Sequence, residues 1–491
     1  MPASLSSRVR EPALAEHLRD TWAADAVPFH MPGHKGGVGA PALGVELLGR
    51  AAYEADVSEL GGFDYLHGPE SALREAQAWV AATMGASRSW FLVNGATVGN
   101  IAAICATVKE GDSLLMARDS HRSVYAGIWA SGARPLYLPP IRNDTLDGLF
   151  GVDPREVERA LAADPSIRAV HITSPSMYGF TVPVAEIAAI TAAHDVPLIV
   201  DEAHGTHFAF HPRFPTPALT CGADLVVHSP HKTIGALTQA ALLHLEGDRV
   251  DPSLVDRFLQ MLQSSSPSAL LLVSLATALD EMAREGQEHW ARTLSLADHA
   301  RDTLARSGTL VPYGTEIAGT PGITGFDPVK LAVDTRPLGM SGYEAQRWLR
   351  AHRRIDAETA DVGRLVFSIT MADTAATVEA LLDALSALSA NASEPSADRS
   401  GSPSFWPSTA PVCALTPRAA ANVPEVPVAL AKTVGRVAAE MIVPYPPGIP
   451  LLVPGEVISA ELVDSIVQLL GSGCRVVGMS DAGGATLRCT Q

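Results

Sequence analysis

Between residues 89 and 245 the chain alternates short apolar runs with stretches of helical length. Trp90-Phe91-Leu92-Val93, Ser113-Leu114-Leu115-Met116, Pro135-Leu136-Tyr137-Leu138, Ala169-Val170-His171-Ile172, Pro197-Leu198-Ile199-Val200 and Asp224-Leu225-Val226-Val227 read as strands. Residues 101–108, 154–163 and 183–194 read as the helices between them. Strands this continuously apolar, spaced by helices, predict an α/β protein whose mostly parallel sheet is buried on both faces. Ligands of such sheets sit at the carboxyl ends of the strands.

Past residue 245 the pattern lengthens into helices over 251–263 and 267–284, then a smaller α/β piece over about 312–389. The Ser-, Pro-, Ala- and Asn-rich stretch that follows predicts a linker. The expected division is an N-terminal segment 1–70, a large domain 71–310, a small α/β domain 311–390, a linker 391–411 and a C-terminal domain 412–491. No internal repeat is evident.

Composition narrows the function classes. With 47% apolar and 18% charged residues the chain reads as compact and soluble. A formal charge of −17 argues against nucleic acid, whose phosphates need a basic partner. The five scattered cysteines form no CxxC pair, so neither a disulfide framework nor a zinc site is signalled. The first twenty residues carry charges throughout, unlike a secretory signal. The longest apolar run, 269–278 with its flanks, is too short to span a bilayer and predicts a buried helix. The expected setting is a reduced cytoplasm, away from membranes.

The chemistry gathers at strand ends. Ser229-Pro230-His231-Lys232 follows one strand, and Asp201-Glu202-Ala203-His204-Gly205 follows another. A lone lysine is ordinarily a solvated one, but this lysine and this acid emerge at the same rim of the sheet. A carboxylate leaving a buried strand needs a partner, because an unpaired buried charge is costly. A protonated pyridine nitrogen would be that partner, turning a cofactor ring into an electron sink. Gly95-Ala96-Thr97, opening a helix after a third strand, would bring backbone N–H groups and the helix dipole to a phosphate. Ser229 and His231 add donors. The pattern thus points to pyridoxal phosphate held by Lys232 as a Schiff base.

On these residues the chain resembles the ornithine/lysine/arginine decarboxylases of the aspartate-aminotransferase fold, fold type I. The likeness is carried by Pro28-Phe29-His30-Met31-Pro32-Gly33-His34-Lys35, Asp56-Val57-Ser58-Glu59 with Asp64, Asp119-Ser120-His121-Arg122-Ser123, the two strand-end motifs, Ser264-Ser265-Ser266-Pro267 and residues 445–456. The early His-Met-Pro-Gly-His motif resembles the short members, which have no wing domain before it. The resemblance implies a seven-stranded, mainly parallel sheet, a small α/β domain and an α+β C-terminal domain. It implies that Lys232 holds the cofactor, Asp201 faces the pyridine nitrogen, and His121 and Ala203 cover the two ring faces. Ala96, Thr97, Ser229 and His231 would hold the phosphate, with Gly95 and His204 close by. Ser265 and Ser266 would reach the neighbouring subunit's phosphate, making the active unit at least a homodimer. The phosphate loop carries Ala96 where the family usually has serine, losing a hydrogen bond of about 1.5–3 kcal/mol. Ser71 likewise replaces a usual glycine.

The implied reaction removes carbon dioxide from arginine, lysine or ornithine, and the distal cation of the substrate needs an acid. Glu456 is the first candidate, with Glu59 and Asp64 as others and His30 and His34 in the same motifs. Without the resemblance these histidines would be ordinary turn residues, and no carboxylate or cysteine stands at metal-ligand spacing beside them. Two rivals remain at this level. Arg364 stands where aminotransferases place an arginine for the α-carboxylate, so transamination or another lyase reaction on this fold is the alternative. A silent, antizyme-like binder is the other, although such proteins lose the lysine or the acid.

Overall fold

The apolar runs assemble into one sheet in the computed structural model, which describes residues 12–23, 26–139, 141–143, 146, 148–308, 310, 312–391, 409–445 and 448–491. Its seven strands are β1 (Arg88–Leu92), β2 (Ser113–Ala117), β3 (Arg134–Leu138), β4 (Ile167–Thr173), β5 (Leu198–Asp201), β6 (Leu225–His228) and β7 (Ala241–Leu245). Their spatial order is β1-β7-β6-β5-β4-β2-β3, with every pair from β6 to β3 parallel. The seventh strand, which is not among the predicted runs, lies antiparallel to both β6 and β1. An antiparallel neighbour needs no crossover helix, so β6 and β7 are joined by the short segment that carries Lys232.

Alternation explains why both faces are apolar. Phe91, Leu115, Val170, Val200, Val226 and Leu242 enter one core, while Trp90, Leu114, Ile199, Val227 and Leu243 enter the other. Helix α1 (Gly95–Thr107) lies close on the second face, where a side chain at Gly99 would meet Leu92 at 2.9 Å and Val227 at 3.0 Å. It begins at Gly95, where the Gly95-Ala96-Thr97 turn is expected to open a helix, ahead of the apolar stretch 101–108, and Gly95 takes a φ of +72° that few other residues accept.

The expected helix over 267–284 runs on as a 39-residue helix, α2 (Ala269–Ser307), burying Trp290, Leu294, Ala297 and Leu304 in its later turns. It leads to the small domain, where β8 (Lys330–Asp334), β9 (Thr359–Ala360) and β10 (Arg364–Ser368) form an antiparallel sheet with β10 central. Most of the expected linker, residues 392–408, lies outside the described residues, as do Pro446 and Pro447. The C-terminal segment has its own core of Ile442, Leu452, Leu462, Ile466 and Leu469, with an antiparallel pair, Glu425–Ala429 against Thr486–Thr490. Among the described residues no helix is long and apolar enough to cross a membrane.

Candidate active site

The strand ends of β4, β5 and β6, the first turn of α1 and the small domain surround a cavity of about 880 Å³. Gly95, Ala96, Thr97, His121, Asp201, Ala203, His204, Ser229, His231 and Lys232 all line it. The sequence motifs therefore meet in one place, brought there by strand order although they are far apart in the chain.

Asp201 ends β5 and is buried, with both oxygens engaged: Oδ2 accepts from Asn100 Nδ2 at 2.8 Å and Oδ1 from the Ala203 amide at 3.1 Å. Lys232 opens to the cavity, its Nζ 3.0 Å from His204 Nε2. Surrounding protein pushes its amine below the ordinary lysine range; Asp201 opposes this and nearby Lys330 adds to it.

Lys330 is the feature sequence reading missed. It comes from β8 of the small domain, is 2% exposed, and is fully committed. Its Nζ donates to both Glu358 oxygens at 2.7 Å and to Ser368 Oγ at 2.8 Å, and lies 3.4 Å from His204 Nδ1. His204 Nδ1 lies between this ammonium at 3.4 Å and Glu358 Oε1 at 3.5 Å, while Nε2 faces Lys232. Burial, Lys232 and Lys330 hold the His204 ring well below the usual histidine pKa, so it is neutral. A lysine inside a strand reads as an edge residue in sequence, and its partners lie 28 and 38 positions away.

His121 caps the helix Arg122–Ser131 with its ring, Nδ1 accepting from the Ser123 amide at 3.2 Å. His231 Nδ1 donates to the Ala240 carbonyl at 2.8 Å, which leaves its other nitrogen as an acceptor when the ring is neutral. Ser229 Oγ is buried with no hydrogen-bond partner among the described residues. A buried hydroxyl beside a helix N-terminus calls for an acceptor, and a phosphate is one. With an open amine, an engaged acid and this donor set, the residues present fit pyridoxal phosphate.

The expected substrate residues are placed elsewhere. Glu456 is fully buried and is not among the lining residues of the cavity. Its Oε2 accepts from Arg118 Nη2 at 3.2 Å and from the Val453 amide at 2.8 Å. Arg118 also donates to the Pro450 and Leu451 carbonyls, so the pair fastens the C-terminal domain to the large one. That corrects the expectation for Glu456: its charge is spent on Arg118, too far along the chain for spacing to reveal. Asp64 accepts from the amides of Tyr65, Glu70, Ser71 and Leu73, organising a turn. His34 contacts Asp56 at 3.1 Å, His30 contacts the Met31 carbonyl at 2.6 Å, and neither they nor Glu59 line the cavity of their own chain. Ser265 and Ser266 lie outside it too, beside Ser264, whose amide donates to Asn94.

Arg364 does line the cavity, with its charge already answered. Nη1 lies 3.1 Å from Asp361 Oδ2, and the guanidinium faces the rings of Phe150, Tyr178 and Tyr313. A substrate carboxylate there would have to compete with Asp361.

A mainly parallel sheet with this lysine and acid at its rim defines the class of fold type I pyridoxal-phosphate enzymes. Residues 12–321 match the model of the Orn/Lys/Arg decarboxylase major domain, and residues 406–473 match that family's C-terminal domain. The chain belongs to the Orn/Lys/Arg decarboxylase family. It is 34% identical over 462 residues to a protein named arginine decarboxylase from Halalkalibacterium halodurans, covering 94% of each chain. It shares its fold with the lysine decarboxylase LdcF of Francisella novicida at a TM-score of 0.84 and 20% identity, covering 97% of this chain and 80% of that one. A more distant solved chain, described as SPT with PLP, aligns at a TM-score of 0.53 and 16% identity, covering 77% and 84%.

Proposed function

We propose that the protein binds pyridoxal phosphate in this cavity and decarboxylates a basic amino acid, as a cytoplasmic homodimer or larger homo-oligomer. The observation that carries the reading is the joint placement of Lys232, Asp201 and the unpaired Ser229 hydroxyl around one cavity. The bound cofactor supplies an aldehyde for amines and a ring that accepts the electrons released at the α-carbon.

The chain supplies orientation and charge. Lys232 offers an amine whose pKa its surroundings lower, 3.0 Å from His204 Nε2. The Asp201 carboxylate stands at the sheet rim, where it would face a ring nitrogen and favour its protonated form. Gly95, Ala96, Thr97 and Ser229 form the phosphate cup, to which His231 donates through its second nitrogen only when its ring is protonated, and His121 and Ala203 line the ring pocket. With Arg364 engaged by Asp361, a carboxylate is not drawn into a fixed ion pair there, which favours its loss over transamination.

The dimer reading rests on the N-terminal segment. Its helices Ala42–Leu48 and Arg50–Ala55 have no buried residues, and Phe29, Met31, Leu43, Leu47 and Leu48 are exposed. An apolar face this extensive is suited to a second copy of the chain. In that arrangement His30, His34, Glu59, Ser265 and Ser266 would serve a neighbour's cavity, where Glu59 would read the distal cation, while Asp64 stays bound to the amides of its own turn.

The arginine decarboxylase relative supports arginine as the first substrate to test. Purified protein supplied with pyridoxal phosphate is expected to release carbon dioxide and form agmatine from arginine, or the diamine from lysine or ornithine. Keto-acid formation without carbon dioxide would defeat the proposal.

A further inference from the structure

We propose that Asn100 and Ser123 are positioning residues that lock the His121 ring into its Nε2–H form and tie it to the carboxylate of Asp201. The inference rests on the decarboxylase reading for its catalytic meaning, but the hydrogen-bond chain stands by itself.

Asn100 projects from α1 and Ser123 from the first turn of the next helix; each is 1% exposed. The Asn100 amide nitrogen is 2.8 Å from Asp201 Oδ2 and 3.0 Å from Ser123 Oγ. A carboxylate accepts only, so this atom must be the NH2 group, and one of its protons goes to each neighbour. Ser123 Oγ then accepts from Asn100 and points its own proton at His121 Nδ1, 2.8 Å away. The Ser123 backbone amide donates to the same nitrogen. Two donors on Nδ1 leave no room for a proton there, so the ring carries its single proton on Nε2.

Charging the ring would set an Nδ1–H against both donors and against the positive end of a helix. Burial, with Lys232 and Arg122, also disfavours the cation, while Asp201 favours it; neutral His204 faces the same space. His121 thus presents a fixed N–H donor instead of a titrating imidazolium, and its direction is set by the group that anchors Asp201. Stacking alone would need neither Asn100 nor Ser123.

The test uses the full chain labelled with nitrogen-15 histidine, with and without pyridoxal phosphate, and a His121→Gln variant to assign the ring. In the wild-type protein, His121 should be protonated at Nε2 and bare at Nδ1 around neutral pH. Ser123→Ala should move the ring's titration up by about one pH unit or a little less, the effect of one lost hydrogen bond. It should lower kcat about tenfold with KM within about twofold, and Ser123→Thr should restore both. Asn100→Leu should shift the same ring and also weaken cofactor binding, since Asp201 loses a donor. A proton on Nδ1 in the wild-type protein, or an unchanged ring titration in both Ser123→Ala and Asn100→Leu, would overturn the inference. Lack of carbon dioxide release by the wild-type protein would instead refute the decarboxylase reading, and the ring measurement would still decide the tautomer.

Discussion

Lys232 Nζ stands 3.0 Å from His204 Nε2, and the far nitrogen of that imidazole faces a second lysine, Lys330, at 3.4 Å. Two amines from two domains are thereby joined through one neutral ring. Since like charge favours the neutral amine, removing Lys330 should raise the Lys232 pKa. Cofactor uptake needs the unprotonated amine, so its rate climbs as pH rises through that value. Lys330→Met is expected to displace this rate profile towards alkaline pH and to make uptake near neutrality markedly slower, by about tenfold if the pKa rises by about one. Stopped-flow absorbance during reconstitution measures it. A profile that stays in place would show that Lys330 only holds the small domain in position.

Asp201→Asn separates binding from chemistry. The amide still accepts a hydrogen bond from Asn100 but carries no charge. Cofactor affinity should fall modestly, while turnover should fall by about a hundredfold or more, in line with the loss of one designed electrostatic contact. Dialysis equilibrium and carbon dioxide release together give the split.

Glu202, next to Asp201, anchors a buried chain that never reaches the cavity. Its Oε2 is 2.8 Å from His228 Nε2, His228 Nδ1 is 3.1 Å from His244 Nε2, and His244 Nδ1 is 2.7 Å from Ser89 Oγ. Burial drives the Glu202 carboxyl well above its ordinary value and the His228 ring down to about 3. These shifts favour the neutral forms, an arrangement in which the acid donates to His228. The unfolded glutamate ionises above about pH 4.3 while the native one keeps its proton, so stability falls as pH rises from there towards the native pKa. Glu202→Gln can still accept from the Ala218 amide and donate to His228. It should flatten that fall, so that the variant gains stability over the wild-type protein as pH rises. Denaturant melts at several pH values would show it.

For Glu456 the expected effect is structural. Glu456→Ala leaves Arg118 without its buried counter-charge, which typically costs about 3–5 kcal/mol. Thermal melting should drop sharply, and the preference among arginine, lysine and ornithine should not change. A switched substrate preference with normal melting would return Glu456 to the substrate site.

These cases mark what the chain reveals in one dimension. Strand-end motifs were legible because continuous apolar runs announce the sheet, and chemistry placed just after such runs lands on one rim. Lys232, Asp201 and the Gly95 turn follow from that rule. Lys330, Asn100 and Ser123 do not, since each is defined by a partner in another element and by burial, which spacing does not encode. Glu456 misled for the same reason: it continues a motif, but Arg118, 338 residues away, claims its charge. The run that forms β7 is bounded by Gly235 and Gly247 and carries a strand signal, but its antiparallel pairing with β6 and β1 is set by partners that the sequence does not encode.

The most direct test of the account is to load the protein with pyridoxal phosphate, reduce it with borohydride, and map the modified peptide by mass spectrometry. A single adduct on Lys232, absent after Lys232→Ala and never found on Lys330, is the predicted result. No adduct, or one carried by Lys330 or a surface lysine, would contradict it.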